Sequence, residues 1–193
     1  MAGSPHPLEE LRRWIEEAGA AGAPLPSSVA FVTVGGEGRP SARTVSLKRI
    51  EQNALVFTSA LWTRKARELE GNPHVALLFH WPLLGRQVHI TGKAEIAERS
   101  LAEELFAERD LANQLQSVVS RQGESITDLQ PLRDTHAHLA ETTETPPACP
   151  QDWGAIRVKP DTVELWREAE DRLHERLLYT RDGVEWALTR LAP

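Results

Sequence analysis

A β-barrel carrying helices on its outside is the fold class this sequence predicts: an α+β chain whose strands are mostly antiparallel. Three observations lead there. Short β-rich runs follow one another through turns from residue 29 to residue 97. Helical periodicity then takes over between about 100 and 140 without intervening strands. Strand patterns resume at 153 and continue to 191. An alternating α/β sheet needs a helix after nearly every strand, and the chain does not supply them.

The elements follow in order. Leu8, Leu11, Trp14 and Ile15 recur at helical spacing with charged residues between them, which predicts a helix over 8–20 ended by Pro24 and Pro26. Residues 29–34, Val-Ala-Phe-Val-Thr-Val, predict a strand, and Gly35-Gly36-Glu37-Gly38 turns the chain into a second strand over 41–50. A third strand is expected at 54–59, then a short helix at 64–71 closed by Gly71-Asn72-Pro73. Residues 74–81 read as a buried strand. In 86–97, Val88, Ile90, Ala94 and Ile96 face one way, and Gln87, His89 and Thr91 the other. Helices are expected at 100–109, 113–121 and 124–140, the last with an apolar stripe of Ile126, Leu129, Leu132 and Leu139. A loop over 142–152 leads to strands at 153–159, 162–167, 174–180 and 184–191, with Asp182-Gly183 turning the last hairpin.

The chain has 193 residues, enough for one domain with a substantial core, and we expect a single domain over 1–193. Its net charge of −6 gives no basic footprint for nucleic acid. No apolar run is long enough to span a membrane, and residues 1–7 lack the basic and apolar regions of a signal peptide. The single Cys149 can form no intramolecular disulfide, which suits a reducing cytoplasm. A cytoplasmic location is therefore expected.

Residues 43–65 hold the densest chemistry. Arg43 and Lys48 lie on one β-rich run, Thr58 and Ser59 end the next, and Arg64 and Lys65 open a helix. Cationic side chains, hydroxyls and free N–H groups at a helix N-terminus suit a phosphate; an amphipathic strand edge with a solvated basic turn fits the same residues. Gln87 offers donor and acceptor to a heterocycle edge, or simply faces solvent. Trp166 fits core, ligand wall or interface. On a strand, Arg172, His174 and Arg176 share one face and form a cationic group an anion would relieve; on a helix, Arg172 and Arg176 lie four apart beside glutamates.

Other patterns exclude chemistries. Ser120-Arg-Gln122-Gly-Glu-Ser125 lacks the glycine spacing of a nucleophile elbow. His136 and His138, two apart on a helix, diverge and make poor joint ligands, so no metal site is expected. Gly35, Gly36 and Gly38 form no dinucleotide fingerprint, since no helix follows them.

Arg43-Thr-Val-Ser-Leu-Lys48, Arg64-Lys-Ala-Arg-Glu-Leu69, Asn72-Pro73, Trp81-Pro82, Gly85-Arg-Gln-Val88, Gly92, Trp166, Arg172-Leu-His-Glu-Arg176 and the closing Arg-Leu-Ala-Pro193 stand in order along nearly the whole chain. Together they resemble the pyridoxamine (pyridoxine) 5′-phosphate oxidase family. The resemblance implies a split β-barrel homodimer with FMN at the subunit interface. It also implies oxidation of a small-molecule substrate by the flavin, with O2 as acceptor and hydrogen peroxide as product. By resemblance the FMN positions are Arg43, Thr44, Val45, Ser46, Leu47, Lys48, Thr58, Ser59, Arg64, Lys65, Gln87, Gln122, Trp166 and Arg176. Arg43, Arg64 and Lys65 would hold the phosphate, Gln87 the isoalloxazine edge, and Gln122 would reach the flavin of the other subunit. Substrate contacts carry over to Lys48, Arg109, Arg172 and His174, with Arg172 and His174 in the catalytic role of holding the substrate ring against the flavin.

Four positions depart from the family pattern. Leu105 replaces a phosphate-binding tyrosine, Asn113 a serine, Gly123 the serine of a Gln-Ser pair, and Thr58 a flavin-contacting tyrosine. Losing one hydrogen bond to a charged oxygen costs roughly 1.5–3 kcal/mol. The helical insert also resembles that of the flavin oxidases of phenazine biosynthesis, whose Ser-Arg-Gln run is similar to Ser120-Arg-Gln122, whereas Lys48 and Arg64 follow the vitamin enzyme. The first expectation is thus oxidation of pyridoxine or pyridoxamine 5′-phosphate. The alternative is a reduced heterocycle of the phenazine type, and a further one is a flavin-binding protein without efficient turnover.

Overall fold

A computed structural model describes residues 6–193; the reading of residues 1–5 lies outside them. The chain runs α1 (Pro7–Ala20), β1 (Ser28–Val34), β2 (Pro40–Ser46), β3 (Arg49–Ile50), β4 (Leu55–Ala60), α2 (Arg64–Gly71), β5 (His74–Trp81), β6 (Arg86–Ile96), α3 (Arg99–Ala107), α4 (Leu111–Val119), α5 (Gln130–Thr142), β7 (Trp153–Arg167), β8 (Glu175–Asp182) and β9 (Glu185–Leu191). The strands form a single antiparallel sheet in the order β2-β1-β5-β6-β7-β4-β3, with the β8–β9 hairpin also paired to β7.

The long strand β7 explains the architecture. From Ile156 to Arg167 it pairs with β6 on one side. On the other side its first half pairs with β4, through Thr58 opposite Ala155, and its second half with β8, through Trp166 opposite Arg176. The strand changes partner around Pro160, which has no N–H to give to a ladder. The two strands expected at 153–159 and 162–167 are therefore one strand. Asp161 is the extra residue of a bulge, since Thr91 faces Thr162 while Gly92 faces Pro160. Gly92 is required there: a Cβ would lie 2.3 Å from the Lys159 carbonyl oxygen.

The strand expected over 41–50 is two strands. Leu47 N–H donates to Ser27 O while Lys48 N–H donates to Val56 O, so the backbone turns from β1 to β4 between these residues. The last insert helix starts at Gln130 rather than 124. Pro131 suits a first helical turn, and Asp128 accepts the Gln130 N–H just before it. Ile126 and Leu129 consequently lie exposed ahead of the helix, and α5 buries no residue.

The main core fills the curled sheet with Phe31, Phe57, Leu77, Phe79, Ile90 and Val163, and α1 adds Leu8, Leu11 and Trp14. Ile96, expected on the inward face, is exposed at the end of β6. A second, smaller core of Val56, Leu101, Leu105, Phe106 and Trp153 seats α3 against β4 and β7. It fixes where the helical insert meets the barrel.

Candidate functional site

A cleft of about 270 Å³ opens where β2, β4 and the start of α2 meet α4. Thr44, Val45, Ser46, Lys48, Thr58, Ser59 and Lys65 line one side; Arg109, Ser117 and Gln122 line the other. Leu47 alternates inward into the core. Lys65 is the unusual group. It lies in the first turn of α2, is 7% exposed, and donates to Thr63 Oγ1 at 3.3 Å. No carboxylate lies within ion-pair distance of it among the described residues. Burial, and next the neighbouring Arg43 charge, lower its pKa to about 8. A buried ammonium without a counter-charge, beside the hydroxyls of Ser59 and Thr63 at a helix start, fits an incoming phosphate.

Arg43 and Arg64 are placed differently from Lys65. Arg43 donates from Nη1 to Thr33 Oγ1 at 2.6 Å and to Phe31 O at 3.1 Å, and from Nη2 to Ser41 Oγ at 2.6 Å. Arg64 Nε donates to Glu68 Oε1 at 2.7 Å, and Arg43 Nη2 lies 3.5 Å from Glu68 Oε2. Both guanidiniums are thus gathered by one carboxylate, and neither Arg43 nor Arg64 is among the residues lining the cleft. Burial would raise the Glu68 pKa, but hydrogen bonds from Thr33, Ser41 and Arg64 outweigh it and hold the pKa at about 2. The i,i+4 spacing of Arg64 and Glu68 was the available sequence signal for this acid.

A second hollow of about 410 Å³ continues the cleft through the shared Ser46, Lys48 and Arg109. Arg109 Nη1 donates to Ser117 Oγ at 2.6 Å, and its guanidinium lies 5.3 Å from the Trp153 ring and 5.8 Å from Phe106. Leu105 edges this hollow but packs into the smaller core, at 4% exposure. Asn113 is held by Asp110, which caps α4: Asn113 N–H donates to Oδ1 at 2.8 Å and Nδ2 to Oδ2 at 2.7 Å. Gln122 sits in the exposed loop after α4, where its carbonyl accepts the Trp62 indole N–H at 3.1 Å. Gly123 follows with a left-handed φ of 91°, open to solvent. Sequence reasoning passed over Trp62, Glu68, Asp110 and Ser117. Asp110 was legible as an N-cap residue; Ser117 carries no local signal.

The remaining predicted residues form a separate group. Gln87, Trp166 and Arg176 occupy one rung across β6, β7 and β8. Arg176 Nε is paired with Glu164 at 2.7 Å. The shared strand face expected for Arg172, His174 and Arg176 is not formed, because β8 begins only at Glu175. Arg172 sits in a turn at φ 68°, its N–H bonded to Ala169 O, and Asp171 accepts the Leu173 N–H. His174 packs 4.8 Å from the Trp166 ring, and its Nδ1 accepts the Ala169 N–H at 3.1 Å. The neutral ring therefore carries its proton on Nε2. Ala155, opposite Thr58, and Trp166, opposite Gln87, are eleven residues apart on β7, about 35 Å of strand. The cleft that Thr58 lines contains none of Gln87, Trp166 and Arg176.

No group of three or more metal-ligating side chains occurs among the described residues, and no helix there is long and apolar enough to cross a membrane.

Comparison with known proteins agrees with the split-barrel fold. Residues 15–142 match the family model described as pyridoxamine 5′-phosphate oxidase. Residues 153–193 match that of the pyridoxine 5′-phosphate oxidase C-terminal dimerisation region. The chain is 41% identical over 190 residues to a pyridoxine/pyridoxamine 5′-phosphate oxidase of Rubrobacter xylanophilus, covering 98% of this chain and 88% of the relative. It is 38% identical to the enzyme of that name from Burkholderia ambifaria, covering 98% and 90%. Among solved structures, PhzG from Burkholderia lata 383, in complex with tetrahydrophenazine-1-carboxylic acid, superposes with a TM-score of 0.91 at 31% identity, over 100% of this chain and 95% of that one. An FMN-binding protein related to pyridoxamine 5′-phosphate oxidase from Nostoc punctiforme shares the fold at a TM-score of 0.81 and 16% identity, over the full length of both chains. With both halves matched in order and the split barrel formed, the chain belongs to the pyridoxamine 5′-phosphate oxidase family.

Proposed function

We propose that this protein is an FMN-dependent oxidase working as a homodimer. The observation that carries the reading is Lys65, a buried cation without a counter-charge beside Arg43 at the start of α2. Arg43 to Lys48, Thr58, Ser59, Arg64 and Lys65 would hold the cofactor from one copy, and Gln87, Trp166 and Arg176 from a second; Gln122, expected to reach the flavin of the other subunit, lines this chain's own cleft and is placed with the first group. The separation of these groups along β7, and the absence of Gln87, Trp166 and Arg176 from the cleft, support a site completed by a second copy. When bound, FMN supplies two-electron acceptance from the substrate and delivery to O2 as hydrogen peroxide. The chain's own part is orientation and electrostatics. Lys48 and Arg109 bind the substrate's acidic group, while Arg172 and His174, with its Nε2 proton, position the ring.

Pyridoxine or pyridoxamine 5′-phosphate is the first substrate reading, in line with the relatives at 41% and 38% identity. A reduced heterocycle of the phenazine type is the second. It is favoured by Leu105, which donates no hydrogen bond, and by Asn113, whose amide is engaged by Asp110. The test is aerobic turnover of the FMN-loaded protein with both 5′-phosphates, following pyridoxal 5′-phosphate and peroxide together. Both products at a catalytic rate support the first reading. Bound flavin without turnover moves the weight to larger reduced heterocycles. A monomer at micromolar concentration would refute the shared site.

A further inference from the structure

The hollow at the Lys48–Arg109 end contains as many carboxylates as cations. Lys48 and Arg109 face Glu108 and Asp110. Glu108, just past the end of α3, is engaged by Arg49 at 2.7 Å, which Glu104 shares at 3.0 Å. Asp110 is not: no basic side chain lies within ion-pair distance of it among the described residues, and its carboxylate stays at the mouth of the hollow as the N-cap of α4. That placement has two effects. The α4 N-terminus would itself attract an anion, but Asp110 already occupies it by accepting the Asn113 N–H and Nδ2–H. The same carboxylate also opposes any second negative charge brought to Lys48 and Arg109.

We infer that Asp110 sets the charge preference of the substrate end, favouring a singly charged acid group such as a carboxylate over a phosphate dianion. This rests on the reading of the cleft as the flavin and substrate site, and of the two substrate readings it favours the second over the 5′-phosphates. Arg109, steadied by Ser117 and stacked near Trp153, and Lys48 supply two positive charges; Asp110 cancels one of them. A carboxylate completes a neutral cluster, and a dianion leaves an excess negative charge.

The test uses two probes with one ring, benzoate and phenyl phosphate, added to the FMN-loaded protein at pH 8 and low salt. Binding is read from the perturbation of the flavin absorbance. Asp110→Asn keeps the oxygen that caps the Asn113 N–H while removing the charge and the acceptor for the Asn113 Nδ2–H, and Asp110→Ser is a second cap-forming variant. Coulomb repulsion scales with the product of charges, so if benzoate tightens about threefold, phenyl phosphate should tighten about tenfold. The difference should shrink at high salt. Equal changes for both probes, or none, in flavin-retaining variants would overturn the inference alone. If neither probe perturbs the flavin in any of the proteins, the site reading falls and the inference falls with it.

Discussion

Replacing Lys65 with methionine is expected to move two quantities in opposite directions. The ammonium is 7% exposed and its pKa is lowered from 10.5 to about 8, by burial first and by Arg43 second. That depression corresponds to about 3 kcal/mol of unfavourable charge burial in the protein without cofactor. The penalty is present in full below about pH 8. Because the folded pKa lies below the unfolded one, the folded protein binds fewer protons between the two values. Stability of the cofactor-free wild type should therefore rise as the pH climbs from about 8 towards 10.5. Lys65→Met removes the buried charge, so the cofactor-free variant should gain about 1–3 kcal/mol at pH 7 and lose that alkaline rise. The proposed charge-assisted hydrogen bond to the FMN phosphate would be lost as well, so FMN should bind roughly 10- to 150-fold more weakly. Denaturant unfolding of the cofactor-free protein at pH 7 and pH 9.5, with fluorescence titration of FMN, measures both. A destabilised variant that binds FMN as tightly as wild type would refute the reasoning, because Lys65 would then serve the fold and not an anion.

Three other substitutions address the frame and the second half of the site. Glu68→Gln should cost about 2–3 kcal/mol near neutral pH, since the folded pKa near 2 lies below the ordinary 4.5; the gap from wild type should close as the pH falls from 4.5 towards 2, which acid-range denaturant curves would reveal. Gly92→Ala should destabilise by about 1–3 kcal/mol, read as a lowered Tm, because its Cβ would meet backbone atoms of Lys159 and Pro160 at 2.3 and 2.8 Å. Arg172→Ala should retain FMN yet slow anaerobic flavin reduction by about 10- to 100-fold in stopped flow; isolation as cofactor-free protein would contradict its assigned role.

Some of the cleft was legible locally. Thr58, Ser59 and Lys65 lie on elements whose register and start follow from alternation and helix onset, and all three line the cleft, joined by Lys48 from the junction between β2 and β3. Arg43 lies on β2, yet its guanidinium turns to Thr33, Ser41 and Glu68, which lie 10, 2 and 25 residues away. Local spacing does not encode such a choice, because it depends on which acceptors the packed sheet brings near. Arg172 and His174 show the same limit. Alternation on a strand put them with Arg176, but Asp171 and Ala169 close a turn that delays β8 to Glu175.

By itself the sequence determined the barrel-with-helices class, the order of nearly all elements and the ordered motifs of the family, because hydrophobic period and turn chemistry act over a few residues. It also carried the charged and hydroxyl groups of the proposed phosphate cradle. The tertiary structure alone decided that β7 is one strand shared between β4 and β8. Pro160 and Asp161 look like an interruption until β6 supplies a continuous partner and Gly92 makes room for the bulge. It alone decided that Lys65 is buried without a counter-charge, and that Asp110 stands beside Lys48 and Arg109. Charge balance in a cleft is a sum over groups distant in the chain, and only folding brings those groups within reach of one another.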